Sequence, residues 1–319
     1  MPEKKFFMKQ IMMRRVIYSL IPIIIASAYY FGLRAIILQA VVLAFGIATE
    51  YIFEKRLNKP VSEAVIVTCL LYTLTLPPMT PYWVAVTGII FGVVFSKEVF
   101  GGFGKNVFNP ALVARAFVYV CFPAYLTIQW NQPSLSFPGG LIKYINPMVE
   151  SITTATPLLL FRNSGELTSM TNLLFGNVSG SMGETSKILI ILAGIYLIYK
   201  KTASWQIMAA CLIGFFATSM AMIAFGFEEV INPVYGMLSG GFLFATVFMA
   251  TDPISSASTK EGKWIFGLMI GIVTVIIRGF ALFAGGVMFA ILISNTFVPL
   301  IDELVKMNKK RLKAKREVA

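Results

Sequence analysis

The chain has 319 residues, of which 57% are hydrophobic and 13% charged, with a net charge of +12 and a mean hydropathy of +0.77. A water-soluble domain of this length does not carry so much apolar surface, so the bilayer is the natural solvent. The chain has no histidine, which excludes ordinary haem ligation, His-based zinc and His proton relays. Its cysteines (Cys69, Cys121 and Cys211) sit far apart in apolar runs and offer no four-thiolate iron–sulfur motif.

In chain order, apolar stretches at 16–33, 35–53, 63–76, 82–96, 109–126, 187–199, 205–226, 237–250, 264–277 and 286–301 read as ten spans. No cleaved signal peptide precedes them. The expected organisation is a cytoplasmic segment 1–15, a first membrane half 16–126, an extracytoplasmic loop 127–186, a second membrane half 187–301 and a basic cytoplasmic tail 302–319. On this arrangement 21 Lys and Arg residues face the cytoplasm. Only Arg34, Lys143, Arg162, Lys187 and Arg278 face outward, so the positive-inside bias puts both termini inside. The positive charge is therefore an orientation signal and lipid anchor, not a nucleic-acid footprint. The third and eighth spans are short and end near proline, in "LLYTLTLPP" and "FLFATVFMATDP". Interrupted segments at matching positions point to two inverted five-helix halves with a site at their interface. The fold class is thus an all-α polytopic membrane protein of about ten transmembrane helices with broken third and eighth spans.

Four places carry candidate chemistry. In "KEVFGGFGKNVFNPALVARAF" (97–117), glycines let backbone approach a partner closely, and Asn109-Pro110 reads as N-cap plus first-turn proline. Asn106 is left over by that reading, and Arg115, two turns into an apolar span, needs a partner or a polar cavity. In "ATDPISSASTKEGKW" (250–264), Asp252-Pro253 repeats the cap-and-proline grammar; alternatively the carboxylate stands beside an ion or cofactor path. In "GSMGETSKIL" (180–189), Glu184, Thr185 and Ser186 read as a cap, with Glu184 also a candidate cavity-facing carboxylate. In "ESITTATPLLL" (150–160), Thr156-Pro157 again reads as N-cap plus proline. The free N–H groups and dipole of a helix start there favour a phosphate hung on the Thr156 hydroxyl. Threonine is not acidic, so another enzyme must attach the group.

Together with "GGVMFAILISNTFVPLID" near the end, the motifs "KEVFGGFGKNVFNPALVARAF", "TTATP", "GSMGETS" and "FMATDPIS" give the chain a resemblance. Over nearly its whole length it resembles the flavin-bearing membrane subunits of Rnf-type and Nqr-type ion-translocating redox complexes. The resemblance implies FMN joined through its phosphate to Thr156, with Glu150 where Asp is usual and Thr154 where Gly is usual. It also implies non-covalent riboflavin near Asn106 and Asn109, and an FMN transferase as maturation partner. Other subunits would carry the iron–sulfur and nucleotide sites, and the coupling ion would be Na⁺ or H⁺. The chain would be an oxidoreductase subunit in the cell (inner) membrane, inactive alone. Only about 15 residues precede the first span, which favours the Rnf-type D protein over the Nqr-type B protein. A non-redox transporter or channel is the reading from another class.

Overall fold

A computed structural model describes residues 6–127, 130–134, 139–140, 155–281 and 285–318. Apart from a two-stranded parallel pair of β1 (Phe7–Met8) with β2 (Val61–Ser62), the elements among them are helices. The fold is therefore that of an all-α membrane protein. Two long helices open it: α1 (Ile11–Phe31) and α2 (Leu33–Arg56), joined at Gly32. They are followed by the short α3 (Ala64–Leu74) and by α4 (Tyr82–Val93), which runs straight into a π-helical turn over Val94–Glu98. Next come α5 (Pro110–Cys121) and α6 (Pro123–Thr127). Two small helices, α7 (Pro157–Ser164) and α8 (Met170–Phe175), lie in the stretch read as a loop.

The remainder begins with α9 (Lys187–Tyr199) and α10 (Trp205–Ala224). A broken element follows: α11 (Pro233–Leu238), then α12 (Phe242–Phe244) continuing into a second π-helical turn, Ala245–Met249. Last are α13 (Lys260–Phe280) and α14 (Val287–Val318). Five of these helices, α1, α2, α10, α13 and α14, are long and apolar enough to cross a bilayer. The last predicted span ends at 301, yet α14 continues as helix through the basic residues beyond it.

Membrane helices approach through small residues, because lipid offers no hydrophobic force to drive them together. The pair α10 and α13 shows this. A Cβ on Gly267 would lie 2.6 Å from the Ala210 Cβ, and one on Gly271 would lie 2.5 Å from the Cys211 carbonyl oxygen. Around this pair and the bundle of α1 to α5, one continuous apolar core forms.

Two of the buried interruptions in the helical backbone are held by basic side chains. After α3, the chain through Leu76–Thr80 is buried but not helical. The Arg34 guanidinium donates to the carbonyls of Pro78 (2.9 Å) and Thr80 (3.1 Å). The amides of Met182 and Gly183 donate to Leu76 (3.2 Å) and Leu74 (2.7 Å). Between α11 and α12, Arg278 donates to the carbonyls of Gly236 (2.5 Å) and Ser239 (3.2 Å), while Lys187 donates to Gly240 (2.9 Å). Irregular backbone at membrane depth survives only where protein satisfies it in this way.

Candidate functional site

The six residues singled out from the sequence fall into two cavities, three to each. The first cavity has a volume of about 1070 Å³ including its open mouth and is lined by Thr156, Arg115 and Glu184. Thr156 is the N-cap of α7 with Pro157 at the first turn, and its Oγ1 accepts a long bond from the Leu159 amide, 3.4 Å. The residue is half-buried and lines the cavity at the first turn of α7, where Pro157 has no N–H to satisfy. Arg115, carried in from α5, donates to Glu184 at 3.0 Å. That pair corrects the capping role expected of Glu184, Thr185 and Ser186: Ser186 precedes α9 without a side-chain cap bond. The half-buried charge on α5 engages the carboxylate instead. Gly241 leaves space for it, since a Cβ there would lie 2.1 Å from Glu184 Oε1. Lys187 is 1% exposed and reaches the Glu184 and Gly240 carbonyls. Tyr119, Trp130 and Phe289 give the cavity an aromatic wall.

The second cavity, about 710 Å³ including its open mouth, is lined by Asn106, Asn109 and Asp252, with Lys97, Thr68 and Thr251 and the apolar Met12, Leu71, Phe103 and Phe248. Asn109 caps α5 as expected. Its Oδ1 accepts from the amides of Ala111 (3.0 Å) and Leu112 (3.3 Å), and its Nδ2 donates to the Met249 carbonyl at 3.4 Å. Its amide is thus spent on holding the start of α5 against the second π turn. Asn106 is freer. Its Nδ2 donates to the Phe108 carbonyl (3.3 Å), and no bond among the described residues engages its Oδ1.

Asp252-Pro253 is a correction to the cap reading, because α13 starts at Lys260 with Thr259 as its N-cap. Asp252 instead accepts from the amide (3.3 Å) and hydroxyl (2.7 Å) of Ser255, closing a single turn. Sequence reasoning misses the cavity-lining Lys97 and Lys187, which count there only as loop charges. Their signal is position alone: each stands at the edge of an apolar run. Glu150 and Thr154 lie outside the described residues.

The sequence pattern of the NQR2, RnfD, RnfE family matches residues 5–311. The chain belongs to that family. Among relatives, the B subunit of a Na⁺-translocating NADH-quinone reductase from Yersinia pestis is 35% identical over 304 residues, covering 92% of this chain and 70% of the relative. A protein of the same name from Pseudomonas aeruginosa PAO1 is 40% identical over 279 residues, 82% of this chain and 64% of the relative. One from Klebsiella pneumoniae strain 342 is 36% identical over 276 residues, covering 83% and 65%. The chain thus spans about two thirds of the length of these family members. These relatives correct the preference for the Rnf-type D protein: they carry the name of the Nqr-type B protein at 35–40% identity. That preference leans on the length ahead of the first span, which tells nothing about the shared membrane core that the match covers.

Proposed function

We propose that the chain is the flavin-carrying membrane subunit, of B type, in a Na⁺-translocating NADH:quinone reductase of the inner membrane. The observation that carries the reading is the partition into two cavities, one at a helix-opening threonine and one at Asn106 and Asn109. Ten spans in two inverted five-helix halves, with both termini cytoplasmic, would set the cavities at different membrane depths. In that layout 1–15 and 302–319 are cytoplasmic and 127–186 is extracytoplasmic.

The residues present fit both flavins. The Thr156 oxygen borders the first cavity, whose lining is mostly apolar with a few convergent polar groups. It carries one weak bond, and the N-terminal dipole of α7 suits a phosphodiester. Tyr119, Trp130 and Phe289 supply flat apolar surface for a ring. When bound, flavins supply one- and two-electron transfer. The chain's own work is position and electrostatics. Thr156 tethers, α7 offsets the phosphate charge, and Glu184 keeps Arg115 compensated beside the ring. In the second cavity Asn106 offers the unspent amide oxygen, while Asn109 fixes the start of the neighbouring helix α5. Arg115, Glu184 and Asp252 are the acidic and basic groups that line the two sites.

Electrons would enter on other subunits, which carry nucleotide and iron–sulfur sites, and an FMN transferase would load Thr156. Co-expression with such a transferase, followed by denaturing electrophoresis under ultraviolet light, tests the tether. A fluorescent band is expected from the wild-type chain and none from Thr156→Ala. A band that survives the substitution places the flavin elsewhere, and a wild-type chain without one favours a non-redox transporter.

A further inference from the structure

Helix α7 has a second side. Its Leu158 lines the Thr156 cavity and also a separate groove, bounded by Phe161 and Arg162 of α7, by α10 and α13, and by the turn that follows α10. The groove measures about 1340 Å³ including its open mouth. Its floor is apolar: Phe215, Val275 and Ile231 are all buried. Its rim is charged, with Arg162, Glu228 and Glu229 exposed.

Two of its resources are unspent. The first is a hydroxyl. Ser219 on α10 is 0% exposed and lines the groove, yet its Oγ has no hydrogen-bond partner among the described residues. A helical serine or threonine can give its hydroxyl proton to the carbonyl four residues back, as Thr73 and Thr274 do here. The second is charge. Arg162 donates to the Ala281 carbonyl, but no ion pair among the described residues joins it to Glu228 or Glu229. Arg278, also on the wall, is committed to the carbonyls of Gly236, Ser239 and Gly285.

Two guanidiniums and two carboxylates leave the groove without net charge. A simple cation meets the arginines and a simple anion meets the glutamates, so neither is favoured. A ligand with an anionic and a cationic group side by side complements both. The fork of Arg162 suits a phosphate, and the glutamates suit an ammonium. The buried floor asks in addition for a hydrocarbon chain. Phe227 and Phe280, next in sequence to the lining residues Glu228 and Gly279, are exposed and pack edge-on at 5.5 Å, and exposed apolar surface of this kind marks a face turned to lipid. We propose that the groove seats one phospholipid with an ammonium-bearing headgroup. Arg162 takes its phosphate, Glu228 and Glu229 take its ammonium, a chain lies on Phe215 and Val275, and Ser219 Oγ donates to an ester carbonyl. The inference needs no flavin; the proposed membrane orientation decides only that the lipid comes from the outer leaflet.

The test uses the native assembly, detergent-solubilised and stripped of lipid, then incubated with palmitoyl-oleoyl phosphatidylethanolamine or with the matching phosphatidylglycerol, which has no ammonium. Lipid kept through gel filtration is counted by mass spectrometry for wild type, Arg162→Met and the Glu228→Gln/Glu229→Gln double variant. Wild type should keep one phosphatidylethanolamine more than Arg162→Met. Its preference for phosphatidylethanolamine over phosphatidylglycerol should be about tenfold, the worth of one charge-assisted contact, and should vanish in the double variant. Both glutamates are exposed, so that variant keeps the fold, which an unchanged lipid-free thermal midpoint checks. Phosphatidylethanolamine should raise the midpoint of wild type but not of Arg162→Met. Equal retention of both lipids by all three proteins, or no phosphatidylethanolamine on wild type, would overturn the site. Free phosphoethanolamine that stabilises wild type as well as the lipid does would overturn the lipid assignment in favour of a soluble zwitterion.

Discussion

Arg115 and Glu184 are 69 residues apart in sequence and 3.0 Å apart in space. That a cation two turns into an apolar span must find a partner follows from the sequence and the cost of burying charge. Which carboxylate answers does not, because Glu184 also fits a helix-start pattern and nothing local ranks the two roles. Breaking a buried pair by removing one partner costs about 3–5 kcal/mol, more than replacing both. With side chains 17% and 8% exposed, the lower end applies. Arg115→Met should therefore lower the thermal midpoint clearly, and Arg115→Met/Glu184→Gln should recover much of the loss; midpoints measured in detergent check this. The two asparagines should separate in the same way. Asn109→Ala removes a cap worth about 1 kcal/mol together with the bond to Met249, so it should lower stability. Asn106→Ala should leave stability near wild type and reduce the riboflavin released by acid. Equal riboflavin content in Asn106→Ala and wild type would remove Asn106 from that site.

At the scale of elements, proline and glycine make the interruptions legible. "LPPMTP" cannot continue α3, whereas the second break falls at Ser239–Gly241 and not beside Pro253, where "FLFATVFMATDP" pointed. The caps at Asn109 and Thr156 are legible for the same reason, since a polar N-cap followed by proline has few other local uses. The residues that repair the breaks are not legible. Arg34 and Arg278 look like ordinary outward-facing charges in a tally of loop residues, but the fold turns both inward onto exposed carbonyls. Glu98, at the end of the π turn after α4, comes within 4.8 Å of Glu50 and Glu54 on α2, a proximity that no local spacing announces. Hydrogen bonds to charged groups contribute about 1.5–3 kcal/mol each. Arg278→Met should accordingly speed amide exchange across 236–245 by about tenfold or more, while α2 and α4 keep wild-type protection. Unchanged exchange in that stretch would mean the break needs no guanidinium.

For the whole molecule, composition and the basic-residue bias carry the membrane reading, and the family match spans residues 5–311. The proposed orientation puts the α14 basic end in the cytoplasm. A reporter that works only in the cytoplasm, fused after residue 319, should be active; an inactive fusion, with activity from a reporter that works only outside, would invert the layout. The proposed flavin tether at Thr156 is the claim on which the electron-transfer reading turns. The most direct measurement is the intact mass of the chain taken from fully active assemblies, with fragmentation to locate any added group. One FMN phosphodiester on Thr156 is the expected result; an unmodified Thr156 in such material would contradict the account.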